Sequence, residues 1–109
     1  MKPKEIICSK ERDKIKIIFE NNEIFEISAE LLRVESPSAE VQGHGVGQKK
    51  IIKNKKHVKI KSLEKIGNYA IRIIFNDGHN TGIFSWELLY DFGKNHEQLM
   101  LDYNKSLNF

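Results

Sequence analysis

Apolar and polar positions alternate along this chain in two places, and in nearly the same way. In "IKIIFENNEIFEISAELL", Ile15, Ile17 and Phe19 recur at every second position with Lys16 and Ile18 between them. "ENNE" then interrupts, and Phe25 and Ile27 resume the alternation. A period of two places alternate side chains on one face of a strand, so the stretch predicts a hairpin with one strongly apolar face. In "IRIIFNDGHNTGIFSWELL" and the residues before it, Tyr69, Ile71, Ile73 and Phe75 share one face, and Ala70, Arg72 and Ile74 share the other. "NDGH" supplies residues that tolerate positive φ, and Ile83 and Phe84 mark the return strand. Each return strand runs into a helix start of similar design, with Ser28 and Ser85 as N-caps and Glu30 and Glu87 in the positive first turn. A strand-strand-helix unit used twice fits this pattern. So do two independent amphipathic hairpins, because the pleat dictates most of the matched positions.

The remaining elements follow from punctuation. Gly93 is a natural C-terminal residue for the second helix, and Asn95 can cap a last helix with Gln98 at the capping-box position. Leu99, Tyr103 and Leu107 then form an apolar stripe that Met100 widens. "HVKIK" predicts one more strand, with Val58 and Ile60 inward and Lys59 and Lys61 outward, before a turn at Gly67 and Asn68. "ESPSAEVQGHGVGQKKIIKNKKH" has little periodicity and reads as a long loop. The fold class is α+β: a mainly antiparallel sheet built from two hairpin–helix units, with a C-terminal helix packed on one face.

Composition narrows this further. The 109 residues suit one domain spanning 1–109, and 39% hydrophobic with 30% charged residues is the balance of a globular chain. No apolar run approaches the roughly 20 residues needed to span a bilayer, and "MKPKEIICSK" lacks the apolar core of a signal peptide. The expected location is cytoplasmic, away from the membrane. The single cysteine, Cys8, excludes an internal disulfide and a cysteine-clustered metal site, and its apolar flanks suit the core. The net charge of +3 conceals a cluster, Lys49, Lys50, Lys53, Lys55, Lys56, Lys59 and Lys61. Such a run is either a solvated face or an attraction to phosphate or acidic partners.

Visible chemistry is sparse. "GHGVG" spaces Gly43, Gly45 and Gly47 around His44, but it lacks the Lys-Ser/Thr ending of a phosphate loop and the spacing of a dinucleotide fingerprint. No serine, cysteine or carboxylate pair stands in a recognisable catalytic order. The four histidines, His44, His57, His79 and His96, show no spacing that would set two imidazoles on one face. His79 lies in the "NDGH" turn, where a lone histidine is expected to bond turn carbonyls. A metal-dependent enzyme would need the fold to bring His79 and His44 together with a carboxylate.

"LLRVESPSAEVQGHG" followed by "GNYAIRIIFNDGHNTGIFSWELLYDFG" resembles the gamma-butyrobetaine hydroxylase-like N-terminal domain family, over nearly the whole chain. That family includes small stand-alone bacterial proteins, extensions on iron-sulfur carrier ATPases, and the N-terminal domain of carnitine-synthesis dioxygenases. The resemblance implies no established activity for stand-alone members. In the dioxygenase branch the domain holds a structural zinc on three cysteines and a histidine. Carried over, the cysteine positions fall on Ser36, Ser38 and Val41, and the histidine on His79. With three thiolates gone, the resemblance implies a degenerate zinc site and no bound metal or cofactor. The expectation is a non-catalytic accessory or binding module, linked to iron-sulfur maturation or to oxygenase systems. It would be monomeric or weakly dimeric and dock on a protein partner through His44, Asp77, His79 and Trp86. The alternative is a nucleic-acid-binding module acting through the lysine-rich segment 49–61, which lacks the arginines and interleaved aromatics that base recognition favours.

Overall fold

A computed structural model describes residues 1–43, 45 and 47–108. The elements, in order, are β1 (Pro3–Cys8), β2 (Lys14–Phe19), β3 (Ile24–Ser28), α1 (Ala29–Val34), α2 (Ala39–Gln42), β4 (Ile60–Ile66), β5 (Ala70–Phe75), β6 (Gly82–Ser85), α3 (Trp86–Lys94) and α4 (His96–Leu107). The expected α+β architecture is present. Its antiparallel strands fall into two three-stranded sheets, ordered β1-β2-β3 and β4-β5-β6, because each hairpin gains a third strand on its N-terminal side.

The likeness between the two units extends well past the alternation. The central strands both end in phenylalanine, and each Phe amide closes a tight turn: Phe19 N donates to Glu23 O, and Phe75 N to His79 O, both at 2.9 Å. An Asx side chain braces each turn, with Asn21 Oδ1 accepting from Glu23 N and Asp77 Oδ1 from His79 N, both at 3.0 Å. The next residue takes positive φ in each case, Asn22 at 69° and Gly78 at 92°. Each first strand carries a bulge opposite its terminal Phe, between Pro3 and Glu5 and between Ile60 and Ser62, so Lys4 and Lys61 are the extra residues. The N-cap oxygens of Ser28 and Ser85 accept from Leu31 N and Leu88 N at 3.1 Å.

The two units also close on each other reciprocally. Arg33 and Tyr90 occupy the same step after their cap serines, and each reaches the other unit's turn: Arg33 Nε lies 2.7 Å from Asp77, and Tyr90 Oη donates to Glu23. Three steps further on, Ser36 and Gly93 do the same. A Cβ at Gly82 would sit 2.4 Å from Ser36 Oγ, and one at Gly93 would sit 2.5 Å from Phe25 Cγ. Ile15, Ile17, Phe19, Ile27, Leu31, Leu32, Ile60, Ile73, Phe75, Phe84 and Leu89 form the shared core, and α4 lies against both α1 and α3.

Several local expectations change. Tyr69 is 61% exposed in the turn before β5 rather than on the strand's inner face, because Gly67, at φ 53°, turns the chain there. Gly93 lies inside α3 rather than ending it, and it is small because Phe25 packs against it. Asn95 does not cap α4. Its Nδ2 turns back to Asp91 O at 3.1 Å, and Gln98 bonds Asp102 instead of closing a capping box. Cys8 is a half-buried free thiol on β1, packed at the margin of the core. Leu99, Met100 and Tyr103 do face inward from α4.

Candidate functional site

The turn at residues 75–79 gathers the polar chemistry. Asp77 braces its own turn through His79 N, and its other oxygen takes two cations, Arg33 Nε at 2.7 Å and Lys55 Nζ at 2.8 Å. Its side chain is 18% exposed. Burial alone pushes the carboxyl up, but the Lys55, His79 amide and Arg33 contacts outweigh it and hold Asp77 well below the usual carboxylate range. The carboxylate thereby joins three segments of chain, namely α1, the lysine-rich loop and the β5–β6 turn.

His79 is 5% exposed, and its ring points away from the turn carbonyls that a lone turn histidine was expected to bond. Nε2 lies 3.0 Å from Ser36 Oγ and 3.3 Å from Ser38 Oγ, and the two hydroxyls lie 3.3 Å apart. On the opposite side, Nδ1 is 3.2 Å from Glu40 Oε2 but without an aligned hydrogen bond, a contact that becomes an ion pair only when the ring is protonated. Glu40 in turn accepts from Thr81 Oγ1 at 2.8 Å. Burial, and then the Arg33 charge, push the His79 pKa down against the pull of Glu40 and Asp77, so the ring is neutral near pH 7. Val41 is buried one turn into the short α2.

Ser36, His79 and Glu40 thus stand in hydroxyl–imidazole–carboxylate order, a juxtaposition the sequence spacing conceals. Productive attack needs a hydroxyl that substrate can reach. Ser36 is 0% exposed and its oxygen sits against Gly82, so the group seals the loop from α1 to α2 onto the β5–β6 turn. Gln42 Nε2 donates to Ser36 O at 3.0 Å and completes the closure. Among the described residues no three His, Cys, Asp or Glu side chains converge in a metal-holding group.

The other expected site residues lie apart. Trp86 begins α3 beyond the far end of β6, about 13 Å along the chain from Gly82 at strand rise, and its Nε1 donates to Asn68 O at 2.7 Å. It is 9% exposed and belongs to the core margin. His44 lies outside the described residues. Of the clustered lysines, Lys49 pairs with Glu35 at 2.6 Å and Lys55 with Asp77, while Lys50, Lys53, Lys56 and Lys61 are exposed. His57 is exposed, and His96 Nε2 accepts from Ser28 N at 3.2 Å at the start of α4. That last contact, linking two elements distant in sequence, carries no signal in the local pattern.

Two three-stranded antiparallel sheets with helices set between their turns define an α+β domain whose polar cluster is closed. Residues 6–90 match the family model described as gamma-butyrobetaine hydroxylase-like, N-terminal, and the chain belongs to that family. It is similar to a protein solved by NMR in solution, with 40% identity and a TM-score of 0.83, covering 98% of this chain and 80% of that one. A second NMR structure shares 36% identity and a TM-score of 0.83, over 98% of this chain and 84% of that one. A crystal structure of a protein of unknown function from Acidithiobacillus ferrooxidans, assigned to the DUF971 family, shares 33% identity and a TM-score of 0.67, over 81% and 88% of the two chains. No curated protein matches.

Proposed function

We propose that this chain is a non-catalytic accessory module that docks on a protein partner, and that the Ser36–Ser38–His79 cluster is a zinc position of the family rebuilt in hydroxyls. The observation that carries this reading is the closure of that cluster. Two serines and a neutral imidazole satisfy one another at 3.0–3.3 Å, with no thiolate to hold a metal and no exposed nucleophile. A serine hydroxyl is a poor neutral ligand and Val41 offers no donor atom, so the lost thiolate bonds account for most of the ~10 kcal/mol or more that a structural zinc supplies. In their place the loop rests on hydrogen bonds and on the Arg33–Asp77–Lys55 ties.

The docking face proposed is the β5–β6 turn with Glu40 and the exposed lysines beside it, and Trp86 falls outside it. The process proposed, iron-sulfur maturation or an oxygenase system, rests on analogy with the family and on no feature of the site. A nucleic-acid role through 49–61 is the weaker reading, because Lys49 and Lys55 are engaged in internal ion pairs.

Elemental analysis of tag-free protein expressed with zinc and iron supplied tests the metal reading. The natural chain should hold far less than one metal per chain, and a Ser36→Cys/Ser38→Cys/Val41→Cys variant should take up about one zinc. Stoichiometric metal in the natural chain would overturn the proposal. A reproducible partner whose binding Glu40→Lys abolishes would support the docking face, and a partner indifferent to that change would remove it.

A further inference from the structure

The bulges in the two edge strands have a chemical consequence on the side of the molecule away from His79. In β4 the extra Lys61 shifts the alternation, so that the inward positions after it are Leu63, opposite Ile73, and Lys65, opposite Ile71. An unshifted strand would have continued inward from Ile60 through Ser62 and Glu64. Lys65 is therefore a cation on the apolar face of a sheet, exposed at its margin beside the buried Ile71. In β1 the matching bulge leaves Ile6 inward, opposite Ile17, and turns Glu5 outward, opposite Ile18. Ile6 and Leu63 hold equivalent places in the two units.

Between these two edge strands lies a cavity of about 350 Å³. Ile6, Leu63, Ile71 and the Trp86 indole form its apolar walls, and Lys2, Lys4 and Lys65 stand among its lining residues. The indole is fixed by its bond to Asn68 O. Lys4 Nζ is held by Asn22 Oδ1 at 2.5 Å, whereas the Lys2 and Lys65 ammoniums have no ion pair or hydrogen bond among the described residues. The volume falls in the range of small-molecule sites, roughly 300–1,000 Å³. Among the described residues Glu5 is the only carboxylate in the lining, and the pleat turns it to the opposite face from Ile6.

We propose that this cleft binds a small anionic amphiphile, a molecule with an apolar chain or ring and one carboxylate. The apolar part lies against Trp86, Ile71, Leu63 and Ile6, and the carboxylate takes a charge-assisted hydrogen bond from Lys65, with Lys2 adding to the field. A lysine on an edge strand also guards against strand pairing, but a guard needs neither an apolar cavity beside it nor a fixed indole.

Trp86 is the only tryptophan in the chain and therefore reports directly. The natural protein is titrated with sodium decanoate and, separately, with decanol, following indole emission, and the decanoate site is mapped by amide chemical shifts in ¹⁵N-labelled protein. The expected result is a saturable change with decanoate, weakened about tenfold or more by Lys65→Glu and by raised salt, with shifts confined to residues 2–6, 63–71 and the Trp86 indole. Equal response to the alcohol, equal affinity in Lys65→Glu, shifts elsewhere, or no saturation would each overturn the assignment. Lys65 is exposed, so its replacement leaves the fold intact, and unchanged amide shifts away from the cleft verify that. A failure here leaves the accessory-module reading untouched, because the two sites share no residue.

Discussion

Asp77 shows how one side chain can fix a turn that sequence reads only as a turn. Replacing it with Asn keeps the shape but leaves Arg33 and Lys55 without their counter-charge, and at pH 7 this should cost about 1–3 kcal/mol in urea unfolding. Because its carboxyl is held below the ordinary range, the contribution is present above about pH 4 and is lost as pH falls through the folded value. The gap between natural and Asp77→Asn protein should therefore narrow only in strong acid, and a gap already closed at pH 5 would contradict the triple tie. The histidines act at milder pH. Burial lowers His96, and burial with the Arg33 charge lowers His79, so the unfolded chain binds more protons than the folded one. Their stabilisation is complete above about pH 6.5 and declines as pH falls below it. His96→Gln retains an acceptor for the Ser28 amide and should flatten part of the decline between pH 7 and 5.5. Identical slopes in the two proteins would count against that role.

At the scale of elements, helix propensity and packing oppose each other at Gly93. Alanine gains about 1 kcal/mol inside an exposed helix, but here its Cβ meets the Phe25 ring at 2.5 Å. Overpacking of about 1–3 kcal/mol should win, so Gly93→Ala should lower the thermal midpoint. Adding Phe25→Leu should recover part of the loss, and a stabilised single variant would show that the ring moves freely. Ser28→Ala and Ser85→Ala should each cost about 1 kcal/mol by removing the oxygen that caps Leu31 or Leu88. The two serine caps and both hairpins were legible in the sequence, because alternation and Ser-x-Glu are local signals, whereas the cap expected at Asn95 does not form. The bulges were not, since Lys61 and Lys4 look like ordinary outward residues until pairing shifts them. Nor was the role of Gly93, because a glycine near a helix end suggests termination unless the ring opposite is known. Ser36, Ser38 and His79 were linked only through the family resemblance, and their contact depends on a loop docking across forty residues of chain.

For the whole molecule, the reciprocal closure sets cooperativity. Arg33 belongs to the first unit but braces the second unit's turn, and Tyr90 does the reverse, against a T-shaped cluster with Phe19 and Phe25 at 5.1 and 5.5 Å. Each unit on its own loses the Arg33–Asp77 and Tyr90–Glu23 ties and half of the shared core, so residues 1–47 alone should lack the dispersed amide spectrum of the full chain. The full chain should unfold in one transition, seen alike by far-ultraviolet circular dichroism and by Trp86 emission. Two separated transitions would mean that the units are independent. A chain cut between Gly47 and Gln48 has its two pieces joined by side chains and a shared core as well as by backbone. Mixed in equal amounts, the pieces should find each other and fold as a heterodimer, which would make the domain a split reporter and make its arrangement that of two exchanged half-length chains covalently tied.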